Sequence, residues 1–488
     1  MYLCGGKQDV MQDIIGRKIE RKDLDRLYES GRPEFVAVYG RRRVGKTFLI
    51  REHFSGRFSF YHTAVSPADF KGRKAELKRE QLRAFCSSIQ QYGGEWDVMP
   101  SDWFEAFASL RSLLEQQGGK SRKLVFIDEL PWMDAGQSGF ISALERFWNG
   151  WGAGRTDLML IVCGSAASWM NDNIINNTGG LYGRLTYEMH LSPFNLAECE
   201  RFYQSRGISM DRYDQVQSYM VFGGIPYYMN YLKPEKSLSE NIDALFFAKE
   251  GKLRKEFARL YDSLYSNSAK YMEIVRLLST RRSGFTRKDI AEKTSIAYNG
   301  RLSKMLNSLE KSDFVASYTC YGESSRNVYY KLVDRLSLFH LSFVDGKRSL
   351  RQGFWTKNIR TPELNAWRGL AFEDVCLVHQ AQIKKALGFG AVDAVAAPWH
   401  GKSAQVDLLF DRSDRVVNLC EMKFVAEDFS IDNGYDAELR RKTERFIEET
   451  KCRKSVHLSL VTTYGLSKNK YSGRFQSVVT MDDLFLEE

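Results

Sequence analysis

The chain has 488 residues, too many for one hydrophobic core, and reads as three or four domains of ordinary size. At 43% hydrophobic and 27% charged residues it has globular composition, and no low-complexity block marks a disordered tail. No apolar run reaches the roughly 20 residues that a membrane helix needs. The first twelve residues lack a signal-peptide pattern, and the eight cysteines form no CxxC pair and no zinc spacing. The expectation is a cytoplasmic protein with reduced cysteines and no membrane partner. The net charge of +10 is concentrated: residues 251–360 hold 22 Lys/Arg against 10 Asp/Glu, an excess of 12. Such a region is either the footprint of a polyphosphate partner or a solvated basic face.

In chain order, PEFVAVYG (33–40) is an apolar run suited to a buried strand, and it leads into GRRRVGKT (40–47) and a helical KTFLIREHF. This is the GxxxxGK(S/T) phosphate loop in its strand–loop–helix setting. Gly40, Arg41, Arg42, Arg43, Val44, Gly45, Lys46, Thr47 and Phe48 are the expected nucleotide-binding residues. The glycines let backbone N–H groups face phosphate oxygens, Lys46 reaches the β/γ-phosphates and Thr47 offers a hydroxyl to Mg²⁺. The expected cofactors are ATP and Mg²⁺. About eighty residues on, KLVFIDELPWM (123–133) ends a second buried strand in Asp128-Glu129. Asp128 suits Mg²⁺ and Glu129 suits orientation of the attacking water, although a DE pair can also be a simple turn. LMLIVCG (158–164) is a third strand, and Ser165 after it points at the γ-phosphate or caps the next helix, with equal weight.

DIIGRK (13–18), GRRRVGKT, FIDEL, CGSAASWM, LYGRLTYEMHLSPF (181–194) and FGGIPYY (222–228) together resemble the archaeal-type ATPases of the STAND-like and AAA+-like P-loop branch. The resemblance implies that Ile15, Gly16 and Arg17 lie near the adenine and that Pro226 closes over the base from a helical lid. It further implies that Arg184 approaches the γ-phosphate, from its own subunit or from a neighbour in a homo-oligomer. From the residues alone, Arg184 serves equally well in a surface ion pair.

Residues 191–265 read mainly as helices, the expected lid. AKYMEIVRLLSTRR is an amphipathic helix, and Thr286 and Asp289 open a second in capping-box fashion. In NGRLSKMLNSLEK, Leu302, Met305, Leu306 and Leu309 form one core face, while Arg301, Lys304 and Ser308 are expected to point away. FVASYTCY and NVYYKL, joined by GESSR, read as a hairpin. Three helices and a hairpin follow the winged-helix order, with Arg301, Lys304 and Arg326 as the expected DNA-binding residues. The alternative is a helix that only packs.

NAWRGLAFEDVCLVHQAQIKKALG (365–388) reads as one long helix carrying Glu373. After AVDAVAAPW comes the hairpin QVDLLFDRSDRVVNLCEMKF (405–424), then a helix in AELRRKTERFIEE and a strand in SVHLSLVTTYG: a small α/β sandwich. Strand alternation puts Glu421 and Lys423 on one face, and the DRSDR turn brings Asp407 level with Glu421. Charges amid apolar neighbours must be paired or hold an ion, and two converging carboxylates suit Mg²⁺. A solvated face or an ion pair are the other readings. The arrangement resembles the PD-(D/E)XK nuclease superfamily: Asp407 in the first acidic position, Glu421-Met422-Lys423 as E-x-K and Glu373 as the helix glutamate. Val406 stands where a proline often precedes the aspartate.

The expected fold is thus α/β: a P-loop NTPase with a parallel sheet (1–190) and helical lid (191–265), a winged-helix module (266–345) and a restriction-endonuclease-like domain (365–488). The expected function is an ATP-hydrolysing, DNA-associated protein with a Mg²⁺-dependent nuclease-like domain gated by nucleotide state. A nucleotide-dependent switch with a silent nuclease fold, and an ATP-assembled signalling scaffold, are the alternatives.

Overall fold

The computed structural model of the chain describes residues 13–70, 72–96, 98–118, 121–134, 138–265, 267–346 and 352–487. The segment on which the absence of a signal peptide was read lies outside them. The chain divides into two compact units, Met1–Ser192 and Pro193–Glu488. Among the described residues every cysteine is a free thiol and no helix is long and apolar enough to cross a membrane.

In the first unit, strands β1 (Glu34–Tyr39), β2 (Phe58–Thr63), β3 (Lys123–Asp128), β4 (Leu158–Cys163) and β5 (Tyr187–His190) form a parallel sheet in the order β2-β3-β4-β1-β5. Every residue of β3 and β4 is buried, as a parallel sheet covered on both faces demands. Helices Lys74–Gln91, Trp103–Gln116 and Phe140–Gly150 pack into the same core as the sheet, through Phe85, Trp103, Phe107, Phe140 and Phe147. The phosphate loop, Asp128-Glu129 and Ser165 follow the carboxyl ends of β1, β3 and β4, the edge at which open α/β sheets bind ligands.

The second unit begins with helices, among them Leu196–Ser205, Arg212–Phe222 and Glu256–Leu264, in the expected lid segment. Helices Ser268–Ser279, Arg287–Lys293 and Gly300–Lys311 follow, with β6 (Phe285–Thr286) pairing against the antiparallel hairpin β7 (Val315–Tyr318) and β8 (Tyr329–Leu332). The capping box at Thr286 and Asp289 is formed in both directions. Leu302, Met305, Leu306 and Leu309 are buried on one core face. Ser308 does not point to solvent: it is 4% exposed, and it hydrogen-bonds the Tyr271 hydroxyl of helix Ser268–Ser279.

The long helix expected over 365–388 is two, Pro362–Val378 and Gln380–Ala386. The break falls at His379, whose buried ring donates from Nδ1 to the Val375 carbonyl and accepts the Leu196 N–H at Nε2. Strands β9 (Ala394–His400), β10 (Gln405–Arg412), β11 (Val416–Lys423), β12 (Ser455–Thr462) and β13 (Ser477–Thr480) form the last sheet, ordered β13-β12-β11-β10-β9. β9, β10 and β11 form an antiparallel meander, and helix Asn433–Thr450 crosses over to the parallel β12.

Candidate functional site

At the end of β1 the backbone enters conformations that only glycine adopts cheaply. Gly40 has φ 131°, and a Cβ there would stand 2.5 Å from the Leu191 carbonyl oxygen; Gly45 has φ 95°. Buried Lys46 donates from Nζ to the carbonyls of Gly40 and Arg41, both at 3.0 Å, which sets the ammonium across the loop. Burial lowers its pKa. The Thr47 hydroxyl lies 3.0 Å from each oxygen of Asp128. Burial, then the neighbouring Glu129 charge, raises Asp128 to about 6.

Glu129 holds a left-handed backbone (φ 51°, ψ 44°). Its Oε2 accepts the Ser165 hydroxyl at 2.8 Å and the Ser165 N–H at 3.2 Å. Ser165 thus holds the Glu129 carboxylate, and the helix after it begins at Ala167. Arg42 lies 5.8 Å from the Trp132 ring centroid, and its Nη1 is buried with no hydrogen-bond partner among the described residues. Arg17 is buried beneath the loop and donates to the Ser192 carbonyl at 2.7 Å and the Val44 carbonyl at 3.4 Å. Ile15 is half-buried nearby in sequence, and Arg184 is exposed in the turn before β5. Pro226 opens a short helix of the second unit, Pro226–Met229.

These residues fit a nucleoside triphosphate with Mg²⁺: an ammonium held across the loop, a guanidinium nitrogen unpartnered among the described residues and a hydroxyl–carboxylate pair for a hard cation. Residues 15–232 match the model of a family described as an ATPase domain predominantly from Archaea. This segment is an archaeal-type ATPase domain. An uncharacterised protein of Methanocaldococcus jannaschii is 22% identical over 418 residues, 84% of this chain and 87% of its own. A Walker-type ATPase of Pyrococcus abyssi superposes with TM-score 0.46 and 19% identity, over 67% of this chain and 96% of its own. The ORC2 protein of Aeropyrum pernix, in ADPNP–ADP complexes, gives 0.40 and 17%, over 67% and 91%.

Beyond the ATPase domain, the hairpin β10–β11 pairs Leu408 with Cys420, the chain neighbours of Asp407 and Glu421, and the Glu421 charge acts on Asp407. The β9–β10 pairing shifts register between Val406 and Leu409, an irregularity of the kind that re-aims a side chain. Glu421, its side chain 14% exposed, is no solvated residue. Its Oε2 meets Lys442 Nζ at 2.6 Å; its Oε1 accepts the Tyr435 hydroxyl at 2.6 Å and lies 3.0 Å from Lys423 Nζ. The ion pair is thus present. Burial opposes the Glu421 charge, but Lys442 and Lys423 hold its pKa below the usual range. Burial, then the Glu421 charge, raises Asp407. Burial, then Asp407 and Asp374, raises Glu373 to about 8. Among the described residues no three or more His, Cys, Asp or Glu side chains gather as a metal centre. Mg²⁺ commonly uses one or two carboxylates plus substrate phosphates, a set that Asp407 and Glu421 fit.

Tyr435 and Lys442 were missed by the sequence reading. They lie seven residues apart on one face of helix Asn433–Thr450, flanking buried Leu439, and that periodicity is the signal that could have found them. Asp374, next to Glu373, was also missed: Arg282, Lys331 and Arg335 all pair with its carboxylate, and despite burial they hold its pKa low. Arg301, Lys304 and Arg326 are all exposed, the first two on helix Gly300–Lys311 and the third in the β7–β8 turn.

Proposed function

We propose that the chain is an ATP-hydrolysing, DNA-associated protein whose C-terminal α/β segment is a Mg²⁺-dependent nuclease controlled by nucleotide state. In the ATPase domain, the loop N–H groups and Lys46 bind the phosphates, and Thr47 and Asp128 hold Mg²⁺, which neutralises phosphate charge. Glu129, steadied by Ser165, orients the attacking water. Ile15 and Arg17 serve the adenine side and Arg184 the γ-phosphate. In the C-terminal segment Asp407 and Glu421 are the metal ligands and Glu373 supports them. Lys423 stabilises charge on the attacked phosphate. The winged-helix segment presents Arg301, Lys304 and Arg326 to the DNA backbone.

The observation that supports the nuclease reading is the adjacency of Asp407 and Glu421 at the end of the β10–β11 ladder, with Lys423 on the Glu421 carboxylate. Linear, nicked and single-stranded DNA incubated with Mg²⁺ or Mn²⁺, with and without ATP, tests it. Wild type cuts at least one substrate at a rate that ATP changes, and Glu421→Ala does not cut; identical behaviour of the two proteins on every substrate ends the reading.

A second reading, a DNA-binding switch with a silent nuclease fold, is favoured by one observation: Lys442, Lys423 and Tyr435 already satisfy Glu421 without a cation. It requires salt-dependent DNA binding that Arg301→Ala/Lys304→Ala abolishes, with no cleavage by the wild type.

A further inference from the structure

Within the second unit, a cavity of about 560 Å³ opens between the hairpin β7–β8 and the C-terminal sheet. Its lining is bipolar. Arg281, Lys331 and Arg335 line it from the side of the basic segment, and Glu373 and Asp407 from the side of the nuclease-like segment. Tyr318 also lines it, its ring stacked on Tyr329 at 5.7 Å and 21°. Cavities of about 300–1,000 Å³ enclose ligands of drug size, which is the scale of one nucleotide with its phosphates and far short of a duplex. Nor does the basic wall swing away cheaply, because Arg282, Lys331 and Arg335 are pinned to buried Asp374, and parting such pairs leaves charges stranded.

We propose that this cavity seats a single DNA strand, one nucleotide at a time, with its phosphate against Arg281 and its base against Tyr318. The substrates are then single-stranded ends and overhangs rather than blunt duplex. The inference rests on the nuclease reading for the role of Glu373 and Asp407, while the strand-binding part stands on the cavity alone. Cationic side chains anchor the backbone and an aromatic face accepts any base, the pairing that sequence-tolerant single-strand binding uses. Arg301 and Lys304, on another surface, then serve the duplex from which the strand emerges.

The test titrates the full chain, in EDTA at low salt, with a fluorescein-labelled oligonucleotide as a single strand, as a blunt duplex and as a duplex with an overhang. The Arg301→Ala/Lys304→Ala background removes the exposed helix face. The single strand and the overhang bind about tenfold tighter than the blunt duplex, and Arg281→Ala or Tyr318→Ala removes about that factor. Tyr318→Phe keeps the ring and retains binding, and an unchanged urea-unfolding midpoint of the second unit in all variants reports an intact fold. Equal affinity for blunt and single-stranded probes, or Arg281→Ala and Tyr318→Ala both without effect, overturns the proposal. Adding Mg²⁺ separates the two readings. Variant-sensitive strand binding without cleavage removes the nuclease and leaves the cavity assignment, whereas equal cleavage of blunt and overhanging ends removes the assignment and leaves the nuclease.

Discussion

Glu129 is one of six described non-glycine residues with positive φ, and its carboxylate is tied to Ser165. Such a conformation is tolerated where the side chain must be aimed, so Glu129→Gln lowers ATP turnover by about 100-fold or more while ATP affinity stays within a few-fold. Single-turnover kinetics beside nucleotide titration checks both halves. Lys46→Ala loses binding and turnover together; retained turnover contradicts the phosphate-loop assignment. A second residue-scale expectation concerns acid. Burial depresses the His379 pKa to about 4, so the folded state resists the proton that the unfolded chain takes up near 6.5. Its contribution is full above pH 6.5 and is lost as pH falls toward 4, a loss of about 3 kcal/mol. Urea unfolding of wild type and His379→Gln at pH 7 and pH 4.5 checks the sign: the wild type loses more stability between the two. The phosphate loop was readable because its backbone admits glycine alone at fixed spacing. The partners of Glu421 were not, since Tyr435 and Lys442 meet it only through a helix packing across a sheet.

Among the elements, those with a local cause were readable. The β10–β11 register follows from a short polar turn and the period of two, and Arg415 supplies the positive φ (68°) inside that turn. The helix from Arg287 begins where its cap stands, so Thr286→Ala costs about 1 kcal/mol in the unfolding of the second unit. Leu306→Ala, at a fully packed core position, costs roughly 2–5 kcal/mol, read from the same urea curves. Elements with a distant cause were not readable. β6 spans only Phe285–Thr286 and exists through its pairing with β8. The helix break at His379 depends on a backbone N–H at Leu196, far away in sequence.

For the whole molecule, the pattern of apolar runs announced a parallel sheet but not its order, which long-range packing decides. The charge distribution was readable as a total, and its internal division was not. Within the basic stretch, Arg282, Lys331 and Arg335 are consumed by Asp374, whereas Arg301, Lys304 and Arg326 face solvent. In the proposed duplex complex, Arg301 and Lys304 each release counterions. The slope of log K against log salt therefore falls by about 2 in Arg301→Ala/Lys304→Ala, measured by titration at several salt concentrations.

The close approach of Gly40 to the Leu191 carbonyl, with Arg17 bridging Val44 and Ser192, has a mechanical consequence. Leu191 and Ser192 are the last residues before the chain passes into its second unit. The peptide that leaves the ATPase core is thus clamped at its root to the loop that grips the phosphates. A bulkier residue at position 40 would meet the Leu191 carbonyl and break that clamp.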